Sequence, residues 1–224
     1  MTTTTASLRS LSCELAPLHN AKGSCLWKSG GTHVLAALHG PSKPRLPPHE
    51  LPHGQVSVLV QGSSNSTTQQ PLREWEEFLH RQLSQFVLLD QYPRSIIQVT
   101  LQILTHDGGA LAACWHAALA ALMDAGIALE SLPVAITCAV LPNEERVQLD
   151  PSMEQEQGAG VAVVLVLPGV DDRILGLYST GAMSANKLLE CCSIAEQSAP
   201  AVAAFWRLAI EQRATRENQT LWAM

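Results

Sequence analysis

Apolar residues alternate with polar ones, or run together, over residues 7–15, 24–28 and 32–38, and the turn-forming stretches HNAKG (19–23) and SGG (29–31) separate them. That pattern predicts a three-stranded antiparallel start. Residues 40–54 carry five prolines, Pro41, Pro44, Pro47, Pro48 and Pro52, and predict an irregular loop. QVSVLV (55–60) reads as a strand. QGSSNSTTQQ (61–70), polar and low in complexity, predicts a mobile connection.

From residue 71 to 88 the period changes. Trp75, Phe78, Leu79, Gln82, Leu83 and Phe86 recur every three or four positions, which predicts an amphipathic helix with Pro71 near its start. SIIQVTLQIL (95–104), rich in branched residues, is a strand leading into the turn Asp107-Gly108-Gly109. The next segment has eight alanines from Ala110 to Ala125 and is apolar nearly all round, so it predicts a helix buried between layers, ended by Gly126. Further strands are expected at 133–141, 146–149, 160–167 and 173–179. A long final helix starts at the N-cap Ser184, and Pro200 is expected to bend or interrupt it.

Strands, helix, strand, helix, strands and helix in that order give an α+β domain, a sheet with helices against it, without solenoid repeats. The expected division is a flexible start (1–7), one domain (8–213) and a tail (214–224).

Composition narrows the function. The 224 residues suffice for a large core, and no apolar run reaches the roughly 18 to 20 residues of a membrane span. The opening MTTTTASLRS lacks the regions of a signal peptide, so export is not expected. Six cysteines without Cys-x-x-Cys spacing read as reduced thiols of a cytosolic or nuclear protein. A net charge of -6 with only 14 Lys and Arg argues against a free-standing nucleic-acid binder. The eight histidines include no His-x-x-x-His pair, and His33 and His39 share a strand face without a third ligand, so no metal site is expected.

THDGGALAACWHAALAALMDAG (105–126) raises the chemical question. A glycine turn at a helix start presents free backbone N–H groups, which hold phosphate and other anions in many proteins. Here the residues that follow, Ala110 and Leu111, supply neither hydroxyl nor positive charge.

Leu8-Arg9, Cys13-Glu14, Gly23-Ser24, Gly31-Thr32-x-Val34 and Gly40-Pro41 resemble the opening of the ribonuclease PH-like family. The Asp107-Gly108-Gly109 turn, with its alanine-rich helix ending at Asp124-Ala125-Gly126, and Leu149-Asp150-Pro151-Ser152 followed by Glu154 and Glu156, resemble that family's central segments. The resemblance runs from Leu8 to about Arg213. It implies a mixed sheet with packed helices, the β-α-β-α fold of the ribosomal protein S5 domain 2-like type. It also implies a place in the six-subunit ring of the RNA exosome, around a channel for single-stranded RNA, with RNA-binding cap subunits and an associated nuclease as partners. Nucleus, nucleolus and cytoplasm are the implied compartments.

Active family members carry Thr-Arg or Ser-Arg directly after the two glycines, to hold the phosphate that attacks RNA. With Ala110 and Leu111 at those positions a bidentate, charge-assisted contact is lost, for which roughly 1.5 to 3 kcal/mol is a minimum. The resemblance therefore implies a silent phosphorolytic site, with Asp107, Gly108, Gly109, Ala110 and Leu111 as a vestigial anion turn. In active relatives two carboxylates assist the leaving oxygen, directly or through magnesium. Asp150 with Glu156 or Glu154 has similar spacing, or forms only a solvated acidic loop. For RNA, Arg81 aligns with a family arginine and Arg73 lies two turns earlier; both can equally be surface charge paired with Glu76 or Glu77.

The expectation is a non-catalytic ring subunit that lines and holds an RNA channel and needs no cofactor. The alternative is a homodimeric nuclease using Asp150 with Glu154 or Glu156 and magnesium.

Overall fold

A computed structural model of the chain describes residues 8–43, 53–62, 70–141, 147–168 and 173–222. The expected flexible start, most of the proline-rich loop and most of the QGSSNSTTQQ connection lie outside the described residues.

The strands form two sheets. β1 (Leu11–Leu15), β2 (Gly23–Ser29) and β3 (Thr32–Ser42) make the expected antiparallel start. β4 (Gln55–Gln61) and β5 (Ile96–Thr105) complete a mixed sheet in the order β1-β2-β3-β5-β4. β4 and β5 run parallel, and α1 (Gln70–Phe86) crosses between them. β6 (Val134–Val140), β7 (Val147–Leu149), β8 (Gly160–Leu167) and β9 (Arg173–Thr180) form an antiparallel sheet in the order β7-β6-β8-β9. The short helix α3 (Met153–Glu156) lies between β7 and β8.

α2 (Ala110–Asp124) explains its own composition. It packs on β2 and β3 of one sheet and on β6 of the other, and every side chain from Ala110 to Leu122 is buried. A helix covered on all sides has no polar face, and alanine lets both sheets approach closely. At Gly23 a Cβ would stand 2.3 Å from the Ala121 carbonyl oxygen, so β2 crosses α2 at glycine. Gly126, at φ 72°, ends the turn after the helix.

α4 (Ala185–Trp222) is one continuous element, so of the expected bend or interruption at Pro200 the interruption does not occur. Pro200 sits on the exposed side, whereas Cys191, Ala195, Ala199, Val202 and Trp206 form the buried stripe, which meets the second sheet and, at Trp206, stacks on Trp27 of β2. The bond forfeited by the missing N–H falls where water can serve the freed carbonyl. No change of element marks residue 213, because the helix continues to Trp222, whose side chain lies outside the described residues.

Candidate functional site

Two glycines in left-handed backbone set the turn between β5 and α2, Gly108 at φ 83° and Gly109 at φ 62°. A Cβ on Gly108 would lie 2.1 Å from the Pro151 carbonyl oxygen, so glycine there lets the chain entering α3 rest directly on the turn. Gly31 serves the opposite side, where a Cβ would stand 2.7 Å from Asp107 Oδ2. Beside it Thr32 clamps the turn. Its Oγ1 accepts the Asp107 N–H at 2.9 Å and donates to the Gly108 carbonyl at 2.6 Å.

A guanidinium does reach the turn, from Arg9. Its Nη1 donates to the Asp107 carbonyl at 2.6 Å, and its Nη2 donates to the Gly108 carbonyl at 3.2 Å and to Asp150 Oδ1 at 2.8 Å. The Arg9 N–H and the Ser29 hydroxyl both donate to Asp150 Oδ2, at 3.2 and 3.3 Å. Burial works against the Arg9 charge, but the hydrogen bond and charge of Asp150, with Asp107 and Glu156, outweigh it and raise the pKa. These donors serve the carbonyl side of the turn and a carboxylate. Arg9 Nη2 would also stand 3.2 Å from a Cβ on Gly109, and its charge reaches Glu156, close to the N–H side where an anion would sit.

That N–H is already occupied. Gly109 donates to Glu156 Oε1 at 2.7 Å. α3 aims this side chain: the Ser152 N–H donates to Gln155 Oε1 at 2.8 Å, which fixes the start of the short helix, and Glu156 then falls on the side facing the turn. Glu154 points into solvent. Burial pushes the Glu156 pKa up, and the Gly109 N–H, His106 and Arg9 act in the opposite direction without cancelling it.

Ala110 and Leu111 are each only 3 % exposed. Beyond the turn a cavity of about 410 Å³ opens between α1, α2 and the second sheet, with Gly109, Leu111, Thr137, Glu156, Trp75 and Tyr178 in its walls. Among the described residues its lining includes His106 and Glu74 but no lysine or arginine. A larger cavity of about 950 Å³ lies elsewhere, between the end of α2 and α4, away from these groups.

The carboxylates do not fit a shared magnesium ion. Both Asp150 oxygens are engaged by Arg9, one of them also by Ser29, and the near Glu156 oxygen is held by Gly109, so a cation would have to displace the ion pair. Among the described residues no group of three or more His, Cys, Asp or Glu is placed to hold a metal.

Arg73 and Arg81 are exposed on α1, and neither makes an ion pair among the described residues. The pairing with Glu76 is not made, because Glu76 Oε1 accepts the Val60 N–H at 2.8 Å. Arg73 directly precedes Glu74 and Trp75 of the cavity wall, and Arg81 lies two turns further along.

Sequence reasoning missed the roles of Arg9, Ser29, Thr32 and Thr137. An arginine between Leu8 and the first strand was a usable signal, since the stretch needs no charge of its own. Nothing local marked Thr137, whose buried hydroxyl has no hydrogen-bond partner.

Known proteins supply the family. Residues 7–128 match the model of the 3′ exoribonuclease family, domain 1. The chain is 38 % identical over 161 residues to the Exosome complex exonuclease RRP46 homolog of Oryza sativa subsp. japonica, covering 72 % of this chain and 67 % of that one. The Arabidopsis thaliana protein of the same name is 28 % identical over 226 residues, covering 93 % and 94 %. The crystal structure of rice Rrp46 superposes with a TM-score of 0.82 at 31 % identity, covering 92 % of this chain and 96 % of that one. Sequence and fold agree, and the chain belongs to the 3′ exoribonuclease family with its ribonuclease PH fold.

Proposed function

We propose that this chain is a non-catalytic subunit of an RNA exosome ring, supporting 3′-to-5′ RNA processing and degradation by holding neighbouring subunits and lining part of an RNA channel. The carrying observation is the Gly109 N–H, which donates to the chain's own Glu156 while apolar Ala110 and Leu111 stand beside it. A phosphate ion in that place would face a carboxylate, and Arg9, the arginine beside the turn, is already committed to two carbonyls and Asp150. The names of the rice and Arabidopsis relatives support the assembly. Those names include the word exonuclease, and the silent site is our reading of the residues here.

The partners in this reading are related ring subunits, RNA-binding cap subunits and a separate nuclease that supplies the chemistry. Exposed Arg73 and Arg81 are the RNA contacts it assigns to this chain. All six cysteines are free thiols, in keeping with nucleus, nucleolus and cytoplasm as compartments. Purified protein given RNA and inorganic phosphate will release no nucleoside diphosphates, and release that persists in a homogeneous preparation overturns the reading. The Asp150-centred nuclease is disfavoured by the commitment of that carboxylate to Arg9.

A further inference from the structure

We propose that Cys13 and Cys25 form a peroxide-sensitive dithiol: Cys13 is oxidised first, and Cys25 resolves it to a reversible disulfide that staples β1 to β2. The site lies at the edge of the first sheet and stands whether or not the chain joins a ring.

The two sulfurs already touch. Cys13 Sγ and Cys25 Sγ are 3.5 Å apart although 12 positions separate them in sequence. In the pairing of β1 with β2, Cys13 stands opposite Trp27 and Leu15 opposite Cys25, so the cysteines are diagonal neighbours on one face of the sheet. A disulfide holds its sulfurs at about 2.05 Å, and the remaining approach has to come from one strand. β2 is the fixed one, because it pairs with both β1 and β3 and Gly23 brings it directly onto the Ala121 carbonyl of α2. β1 is the edge strand, paired with β2 alone, and can yield.

Exposure and charge set the order of events. Cys13 is half-buried and Cys25 fully buried, so a small oxidant meets Cys13 first. A hydrogen bond with the Cys25 thiol lowers the Cys13 pKa, burial opposes it, and the Arg213 charge adds to the lowering. The same bond and burial raise the Cys25 pKa. The Cys13 thiolate attacks one oxygen of hydrogen peroxide, the O–O bond breaks, and a sulfenic acid forms as hydroxide leaves and takes up the proton Cys13 gave up. The Cys25 sulfur then attacks the Cys13 sulfur, the S–O bond breaks, and the departing hydroxide leaves as water with the Cys25 proton. The protein loses two hydrogen atoms and the peroxide becomes two molecules of water. A dithiol reductant restores both thiols and is itself oxidised to a disulfide, as suits a transient bridge in a reducing compartment. Other cysteines lack the combination. Cys114 is fully buried, which pushes its thiol up to about 12. Cys138 and Cys191 also meet, but both are buried, so neither faces an oxidant.

The test exposes the reduced full-length chain to a small excess of hydrogen peroxide, blocks the remaining thiols with N-ethylmaleimide and maps tryptic peptides by mass spectrometry without reduction. Cleavage after Arg9, Lys22 and Lys28 separates the two cysteines, so the staple joins residues 10–22 to residues 23–28. That linked peptide should be the main oxidised product, lighter than the sum of its parts by two hydrogen atoms, and dithiothreitol should abolish it. Amides of β1 should exchange more slowly in the oxidised chain, and unchanged exchange there overturns the staple. In Cys25→Ala, sulfenic acid should persist at Cys13 and be trapped by dimedone. In Cys13→Ser, Cys25 should stay reduced at the same dose. A wild-type map without the linked peptide, or with Cys13 joined to a different cysteine, sinks the proposal, and so does oxidation of Cys25 in Cys13→Ser. If either variant fails to fold, the wild-type map decides by itself.

Discussion

Arg9 ties three separated parts of the chain together, and its loss is the sharpest test at the scale of a residue. It satisfies the carbonyls of Asp107 and Gly108 and neutralises Asp150, whose side chain is only 13 % exposed. Arg9→Ala leaves a largely buried carboxylate without its counter-charge and the Asp107 carbonyl without its donor, while Thr32 still serves Gly108, and should cost about 3 kcal/mol in urea unfolding. Arg9→Lys keeps the charge but cannot reach both carbonyls and Asp150 Oδ1 through one planar fork, so it should recover only part of the loss. A double variant, Arg9→Ala with Asp150→Asn, should lose less than Arg9→Ala alone, because no charge is then stranded. If Arg9→Ala unfolds at the wild-type urea concentration, the ion pair is not what fixes the turn.

At the scale of elements, α2 was the most legible part of the sequence because its surroundings are uniform. A helix buried on every side shows it in composition alone, and the observed bounds differ from the expected ones by one residue. Pro200 does not interrupt α4 because the chemistry of proline is local while the stripe that holds the helix is not. The site was half legible for the same reason. Gly108, Gly109 and the acidic stretch are visible as motifs, but Gly109 meets Glu156 across 47 positions and Arg9 meets Asp150 across 141, and only the packed fold brings them together.

α2 also carries a titratable group that periodicity could not explain. His116 is buried against Trp27 and its Nε2 accepts the Ala135 N–H at 3.1 Å, so it must be neutral to link α2 to β6. Burial lowers its pKa to about 3, against an opposite pull from Asp150. The unfolded chain, with an ordinary histidine pKa of about 6.5, takes up a proton as pH falls below that value while the folded chain does not. Stability attributable to this group is therefore complete above about pH 6.5 and is lost on the way down to about pH 3. The slope is about 1.4 kcal/mol per pH unit, so roughly 2 kcal/mol should be gone at pH 5. Urea unfolding at pH 7 and pH 5 measures it, and His116→Gln, which keeps an acceptor and cannot charge, should flatten that interval.

For the molecule as a whole, the question is where the folded unit stops, since α4 passes residue 213 without a break. Arg213 forms an ion pair with Asp124 at the end of α2, and Asp124 Oδ2 also accepts the Ser24 N–H at 2.7 Å. One carboxylate, 5 % exposed, thus joins the last helix, the central helix and the first sheet. The boundary expected at residue 213 coincides with this contact and not with the end of an element. Full-length protein with Arg213→Ala should lose about 3 kcal/mol, because Asp124 stays buried without its counter-charge. A chain ending after Arg213 should keep nearly all of the wild-type stability despite losing 11 residues of the 224. The two variants should therefore rank in the opposite order to the number of atoms removed. If the shortened chain proves the less stable of the two in urea, the last turns of α4 belong to the domain and the boundary moves to the end of the helix.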